Sequence, residues 1–194
     1  GAPDFFIRAL GAEDAPLGGE VGCIGVGRVR RTTVEPFDVR FNREVIEFVQ
    51  WEVARAPGSI LMRTRAEFRD WAYALEREVT LAGRVVKSRT AITNLGRAPL
   101  PVRWFAHPFF PLTADGVLCR FGQPFSLAEN PGYALDGDGF IRRKEGHDWV
   151  KGWYQPVEIE HGGKPFSAVQ KHPRVGRVAV ETDFAPSFLP IWGN

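Results

Sequence analysis

Apolar and polar residues alternate along this chain with a period of two, in short runs cut by glycine and proline. Tyr73 to Leu81, YALEREVTL, sets Tyr73, Leu75, Arg77, Val79 and Leu81 against Ala74, Glu76, Glu78 and Thr80. A helical spacing through Leu75, Val79 and Ala82 competes for the same residues, but β-branched content and the Ala-Gly turn that follows favour a strand. Val45 to Arg55, VIEFVQWEVAR, reads as one strand, with Val45, Val49, Trp51 and Val53 on one face and Ile46 and Phe48 on the other. Ala-Pro-Gly then signals a turn into Ser59 to Ala66, which makes the two a hairpin. Arg84 to Thr93 is a further strand, ended by Asn94-Leu95-Gly96, and Leu100 to Ala106 another. Later strands are expected at Gly116 to Phe121, Pro156 to Glu160, Phe166 to Lys171 and Gly176 to Thr182.

About nine or ten strands with no helix longer than two turns predict an all-β protein, an antiparallel β-sandwich or a distorted barrel. The 21 glycines and 15 prolines, spread throughout, fit that class. Residues 128 to 151 form a polar, Gly-rich stretch, expected to be a long functional loop or a pair of short hairpins. At 194 residues the chain is expected to be a single β-sandwich domain, large enough to bury a core without disulfides.

Charge changes the picture little. The net charge is +2, from 25 Lys and Arg against 23 Asp and Glu, and Arg28, Arg30 and Arg31 are the densest basic cluster. Nucleic-acid binding calls for a coherent basic face, so no nucleic-acid partner is expected and the three arginines are read as a solvated strand edge. Cys23 and Cys119 lie far apart and have no zinc spacing, which favours two buried thiols. No run of about 18 apolar residues exists, so no membrane partner is expected. The compartment stays open, with the cytoplasm favoured.

Candidate chemistry concentrates in Arg103 to Leu112, RWFAHPFFPL, where His107 stands between Trp104 and Phe105 on one side and Phe109 and Phe110 on the other. Such an aromatic shelf suits the apolar face of a sugar, and a histidine beside it can move a proton near neutral pH. The alternative is a buried histidine satisfied by a backbone carbonyl among core aromatics. Trp149 and Trp153 in HDWVKGWYQP bracket a lysine and add a second aromatic group that either stacks on a sugar or plugs the sandwich. His147, Asp148, His161 and His172 lack a ligand spacing, so neither metal nor cofactor is expected. No serine sits in a Gly-x-Ser-x-Gly elbow. GCIGVG, Gly22 to Gly27, is an accidental likeness to a dinucleotide loop, because Arg28-Val29-Arg30 continues as a strand. Asp136 and Asp138 in LDGDGF read as a turn, and Glu181 and Asp183 as solvent-facing charges.

The ordered series Arg77, Asn94-Leu95-Gly96, Leu100 to Arg103 and His107-Pro108-Phe109-Phe110, within Tyr73 to Leu112, resembles the middle of an aldose 1-epimerase of the galactose mutarotase-like superfamily. The resemblance covers about 40 residues and is more specific than any of its pieces. It implies a supersandwich whose concave face binds a monosaccharide or a sugar phosphate, and reversible interconversion of anomers by ring opening. It also implies His107 as the general acid on the ring oxygen, with Arg77 and Trp104 in or beside the sugar pocket; Phe109 of the aromatic shelf and Trp149 and Trp153 are candidate sugar contacts from their aromatic pattern alone.

Two departures stand beside it. Where the family carries an upstream His-Gly-Glu segment this chain has Gly18-Gly19-Glu20, so Gly19 occupies the histidine's place. The family's C-terminal catalytic Glu has no counterpart after Phe184 to Asn194, FAPSFLPIWGN, which implies a shortened relative or a piece lacking both edges. A positioned general base contributes about 10²- to 10⁴-fold, so its loss bears directly on activity. Three readings therefore follow: an epimerase, a non-catalytic sugar-binding or interaction module, and a structural sandwich in which Trp104, Trp149 and Trp153 are all buried. Exposed sheet edges would also let a second copy associate as a homo-oligomer.

Overall fold

The alternation between residues 59 and 94 becomes an antiparallel meander. The computed structural model describes residues 3–4, 9–34, 37–38, 41–102, 105–106 and 111–193. Among the described residues every element is a strand, every pairing is antiparallel, and no helix is long and apolar enough to cross a membrane. The chain is all-β, as its period of two requires.

Two compact units divide it, Gly1–Pro108 and Phe109–Asn194. The first holds β1 (Pro3–Asp4), β2 (Glu20–Cys23), β3 (Gly27–Arg30), β4 (Val45–Phe48), β5 (Glu52–Ala56), β6 (Ser59–Phe68), β7 (Trp71–Ala82), β8 (Val85–Asn94) and β9 (Phe105–Ala106). The second holds β10 (Cys119–Phe121), β11 (Phe125–Ser126), β12 (Tyr133–Leu135), β13 (Ile141–Arg143), β14 (Trp153–Ile159), β15 (Ser167–His172), β16 (Gly176–Glu181) and β17 (Leu189–Gly193).

In the first unit β2-β3-β4 and β5-β6-β7-β8 form two sheets, and β1 pairs with β9. The expected single strand at 45 to 55 is in fact two, β4 and β5, one in each sheet. The chain changes sheets at Val49 and Gln50: the Val49 amide donates to the Val26 carbonyl at 2.9 Å and the Thr64 hydroxyl donates to the Gln50 carbonyl at 2.7 Å. A period-two count cannot register such a crossing, because the alternation runs through it. Of the strand expected over Leu100 to Ala106, residues 105–106 form β9, while residues 100–102 are not in a strand, Pro99 and Pro101 lacking the donors a ladder needs; Arg103 and Trp104 lie outside the described residues.

Val21, Cys23 and Val29 bury one face of the three-stranded sheet together with Ala9 and Ala15. Leu10 and Ile24 cover Tyr73 and Leu75 on the four-stranded sheet, and Phe68, Trp71 and Ile92 pack around them. The two sheets approach closely because Gly22 has no side chain: a Cβ there would meet the Phe68 ring at 3.0 Å. Tyr73 locks the contact, its hydroxyl accepting from the Gly25 amide at 2.9 Å. Burying each such apolar side chain contributes about 1.5–3 kcal/mol.

In the second unit the sheets are β10-β15-β16, β11-β14-β17 and the β12-β13 hairpin. Phe121, Tyr133, Ile141, Val157 and Phe166 form its core. The 128 to 151 stretch contains that hairpin, turned by Asp136, whose carboxylate accepts from the Asp138 and Phe140 amides at 3.0 and 2.8 Å. LDGDGF is thus a turn, as read from its sequence.

Candidate functional site

Register fixes which side chains share a face of the four-stranded sheet. Arg77 pairs across with Met62 on β6 and Thr90 on β8, and its neighbours on that side of β7 are Leu75 and Val79. The cover given by Leu10 and Ile24 ends at Leu75. Beyond it the face stays apolar but opens to solvent: Leu81 is 56% exposed and Val86 65%. Arg77 stands at that boundary, half-buried, with its Nε buried and without a hydrogen-bond partner. Burial pushes its pKa below the ordinary guanidinium value, because a charged group loses hydration there.

Charge on this sheet is sorted by face. Glu52, Glu67, Glu76 and Glu78 lie on the side opposite Arg77, with Arg63 paired to Glu76 at 2.7 Å. Among the described residues of β5 to β8, the cations on the apolar face are Arg77 and Arg55, and no carboxylate joins them. The arrangement offers a desolvated donor on an open, apolar, net positive surface.

Asn94 and Gly96, the Asn-x-Gly of the resemblance, end β8 structurally. The Asn94 side chain accepts from the Gly96 amide at 3.0 Å and donates to the Ala98 carbonyl at 3.0 Å. The Leu95 and Gly96 amides both donate to the Ala72 carbonyl, at 2.8 and 3.1 Å. Gly96 is required by space, since a Cβ there would lie 2.5 Å from the Ala72 nitrogen and 2.7 Å from the Asp70 oxygen.

In the second unit Trp149 and Trp153 both pack against His147. The His147 ring stands edge-on to both, with centroids 4.6 and 5.7 Å away. Arg143 lies 4.0 Å over the Trp149 ring, and Tyr133, its cross-strand partner, packs 5.3 Å from the same ring. Both tryptophans are half-buried against the unit's core, and both indole donors are spent internally, on the Lys144 carbonyl at 3.4 Å and the Gln155 side chain at 3.1 Å. Lys151, which they bracket in sequence, is exposed and pairs with Asp148 at 3.3 Å. Tyr133 is 1% exposed, its hydroxyl lacks a partner, and burial pushes its pKa up to about 12 against the opposing charge of Arg143. Tyr133 and Arg143 are members of this cluster that the sequence did not single out, and His147, weighed there only as a metal ligand, takes an aromatic role instead; the Tyr133–Arg143 register about the LDGDGF turn was the signal available.

A cleft of about 590 Å³ in the first unit is lined by Glu20, Arg28, Glu47, Glu67, Phe68 and Arg69. Arg28 bridges Glu20 at 3.0 Å and Glu47 at 2.7 Å, and Arg30 pairs with Glu44 at 2.7 Å. The Arg28, Arg30, Arg31 cluster is therefore matched by carboxylates and carbonyls, Arg31 donating to the Ala12 and Ala15 carbonyls at 2.6 and 2.8 Å. GCIGVG spans the end of β2, the turn at residues 24–26 and the first residue of β3. Glu20, in the place of the family's upstream segment, is held by Arg28.

His107, Trp104 and Phe109 lie outside the described residues. Arg77 belongs to the first compact unit and Trp149 and Trp153 to the second. Glu181 and Asp183 are exposed. Cys23 and Cys119 are free thiols, each pushed up to about 12 by burial. Among the described residues no group of three His, Cys, Asp or Glu side chains is gathered to hold a metal ion. Comparison with protein-family models, with curated proteins and with solved structures finds no match to this chain.

Proposed function

We propose that this chain is a carbohydrate-active protein of the aldose 1-epimerase type, built on a galactose mutarotase-like sandwich. The observation that carries the reading is Arg77: a half-buried guanidinium with an unmatched Nε donor, on an apolar sheet face, at the position the resemblance gives to a sugar contact. A sugar presents the complement, hydroxyl oxygens that accept from the donor and C–H faces that lie on the apolar side chains.

The reaction opens and recloses the ring. A base removes the proton from the anomeric hydroxyl, the bond from the anomeric carbon to the ring oxygen breaks, and an acid protonates that oxygen. Rotation about the first carbon–carbon bond and the reverse steps deliver the other anomer. His107 is the proposed acid, Trp104 and Phe109 the stacking surface beside it, and Arg77 the residue that orients the sugar. Trp149 and Trp153 are proposed sugar contacts of the second unit, acting through their ring faces because their indole donors are occupied.

A second reading, a sugar-binding module without catalysis, is favoured by the absence of any carboxylate beside Arg77 among the described residues of its face. Polarimetry separates the two. Freshly dissolved aldoses, neutral and charged, should lose their optical rotation drift faster with the protein than in buffer, and His107→Ala should abolish the acceleration at unchanged fold. No acceleration in wild type, with retained sugar binding, selects the binding module. A His107→Ala variant as active as wild type removes His107 from the mechanism.

A further inference from the structure

We propose that the ligand of the Arg77 face carries a fixed negative charge, as a sugar carboxylate or a sugar phosphate, in preference to a neutral aldose. This rests on the sugar-binding reading above and narrows its substrate class.

The sorting of charge on the four-stranded sheet supports it. Its four glutamates all project to the face opposite Arg77, where Arg63 and Glu76 form an ion pair. The apolar face keeps two cations, Arg77 and Arg55, and among the described residues of these strands no anion to balance them. A guanidinium on such a surface has lost water without gaining a counter-charge, and its Nε is buried and unmatched. Neutral hydroxyls satisfy the missing hydrogen bond but not the missing charge. A carboxylate or phosphate oxygen satisfies both, through the forked donor geometry that suits arginine to these groups. Thr90, directly across from Arg77, and Ser88, two residues along β8 on the same face, add hydroxyls for the remaining oxygens.

Titrations read by ligand resonances or heat test the idea, with glucose, glucuronate, glucose 6-phosphate and inorganic phosphate as probes at low and at high salt. The expected result is binding of the charged sugars at least tenfold tighter than glucose, weakening as salt rises, because an ion pair is screened and a neutral contact is not. Arg77→Gln should weaken the charged sugars by about tenfold to a hundredfold and glucose by only about fivefold, since glucose loses a neutral hydrogen bond and no ion pair; Arg77→Lys should restore part of the charged-sugar loss. Which charged sugar binds more tightly distinguishes carboxylate from phosphate. Equal binding of glucose and the charged sugars overturns the charge preference while leaving the sugar reading intact. Binding of inorganic phosphate as tight as glucose 6-phosphate reduces the face to an anion site and overturns the proposal. No binding of any sugar overturns both. Circular dichroism of each variant identifies a loss that comes from misfolding, and in that case Arg77→Lys carries the test.

Discussion

Replacing Arg77 by methionine should make the protein more stable. The argument is one of unpaid desolvation: the side chain sits between Leu75 and Val79 along β7 and between Met62 and Thr90 across the sheet, and its Nε is buried with no acceptor. An unmatched buried donor costs about 1–3 kcal/mol. The side chain is only partly buried, so solvent screens the charge and the lower end, about 1 kcal/mol, applies. Methionine keeps the length of the stem and its packing on the apolar neighbours while removing the donor and the charge. With a urea dependence of about 1–3 kcal/mol per molar, the midpoint should rise by about 0.3–1 M. Urea unfolding followed by far-ultraviolet circular dichroism and by tryptophan emission measures it. A residue retained at a cost to stability is what a ligand-binding position looks like. If Arg77→Met lowers stability by 1 kcal/mol or more, the guanidinium is holding the fold together, and the case for an open donor on this face collapses.

Two further outcomes follow from the geometry. Gly96→Ala forces a Cβ to 2.5 Å from the Ala72 nitrogen and 2.7 Å from the Asp70 oxygen and should cost about 2–4 kcal/mol, whereas Asn94→Ala, which loses two exposed hydrogen bonds, should cost about 1 kcal/mol, both read as urea midpoints; an unchanged midpoint for Gly96→Ala refutes the close approach. Stability should also fall in alkali. The Cys23 and Cys119 thiols rise from 9.0 to about 12 on folding, so their neutral forms stabilise the native state fully below pH 9, and that contribution is lost as pH climbs toward 12. Each thiol steepens the fall by at most about 1.4 kcal/mol per pH unit. Tyr133 adds to it above pH 10. A Cys23→Ala, Cys119→Ala double variant should postpone the onset by about one pH unit, and an onset unchanged by the double variant would discount the burial of both thiols.

How much of this was legible in the sequence depends on range. The meander of β6, β7 and β8 was readable because alternation, two-residue turns and β-branched residues agreed, and its register brought Arg77 beside Met62 and Thr90 as a consequence of strand length. The sheet crossing at Val49 and Gln50 was not, because the hydrogen bonds that make it reach Val26 and Thr64, remote in sequence. Trp149 and Trp153 stood out in the sequence as aromatics bracketing Lys151, but the side chain they share is set by the loop's conformation: Lys151 turns to Asp148 and solvent, and the His147 ring packs edge-on against both. The sorting of all four glutamates of the sheet away from Arg77 was implicit in the parity of their positions, yet it acquires meaning only once register shows which neighbouring side chains share the face.

Exchange NMR between the α and β anomers of glucose, galactose and their 6-phosphates at neutral pH, with and without the protein, tests the carbohydrate reading most directly. Faster anomer exchange, strongest for the phosphorylated sugars, is the predicted result. Exchange at the buffer rate with sugar resonances neither shifted nor broadened would contradict it.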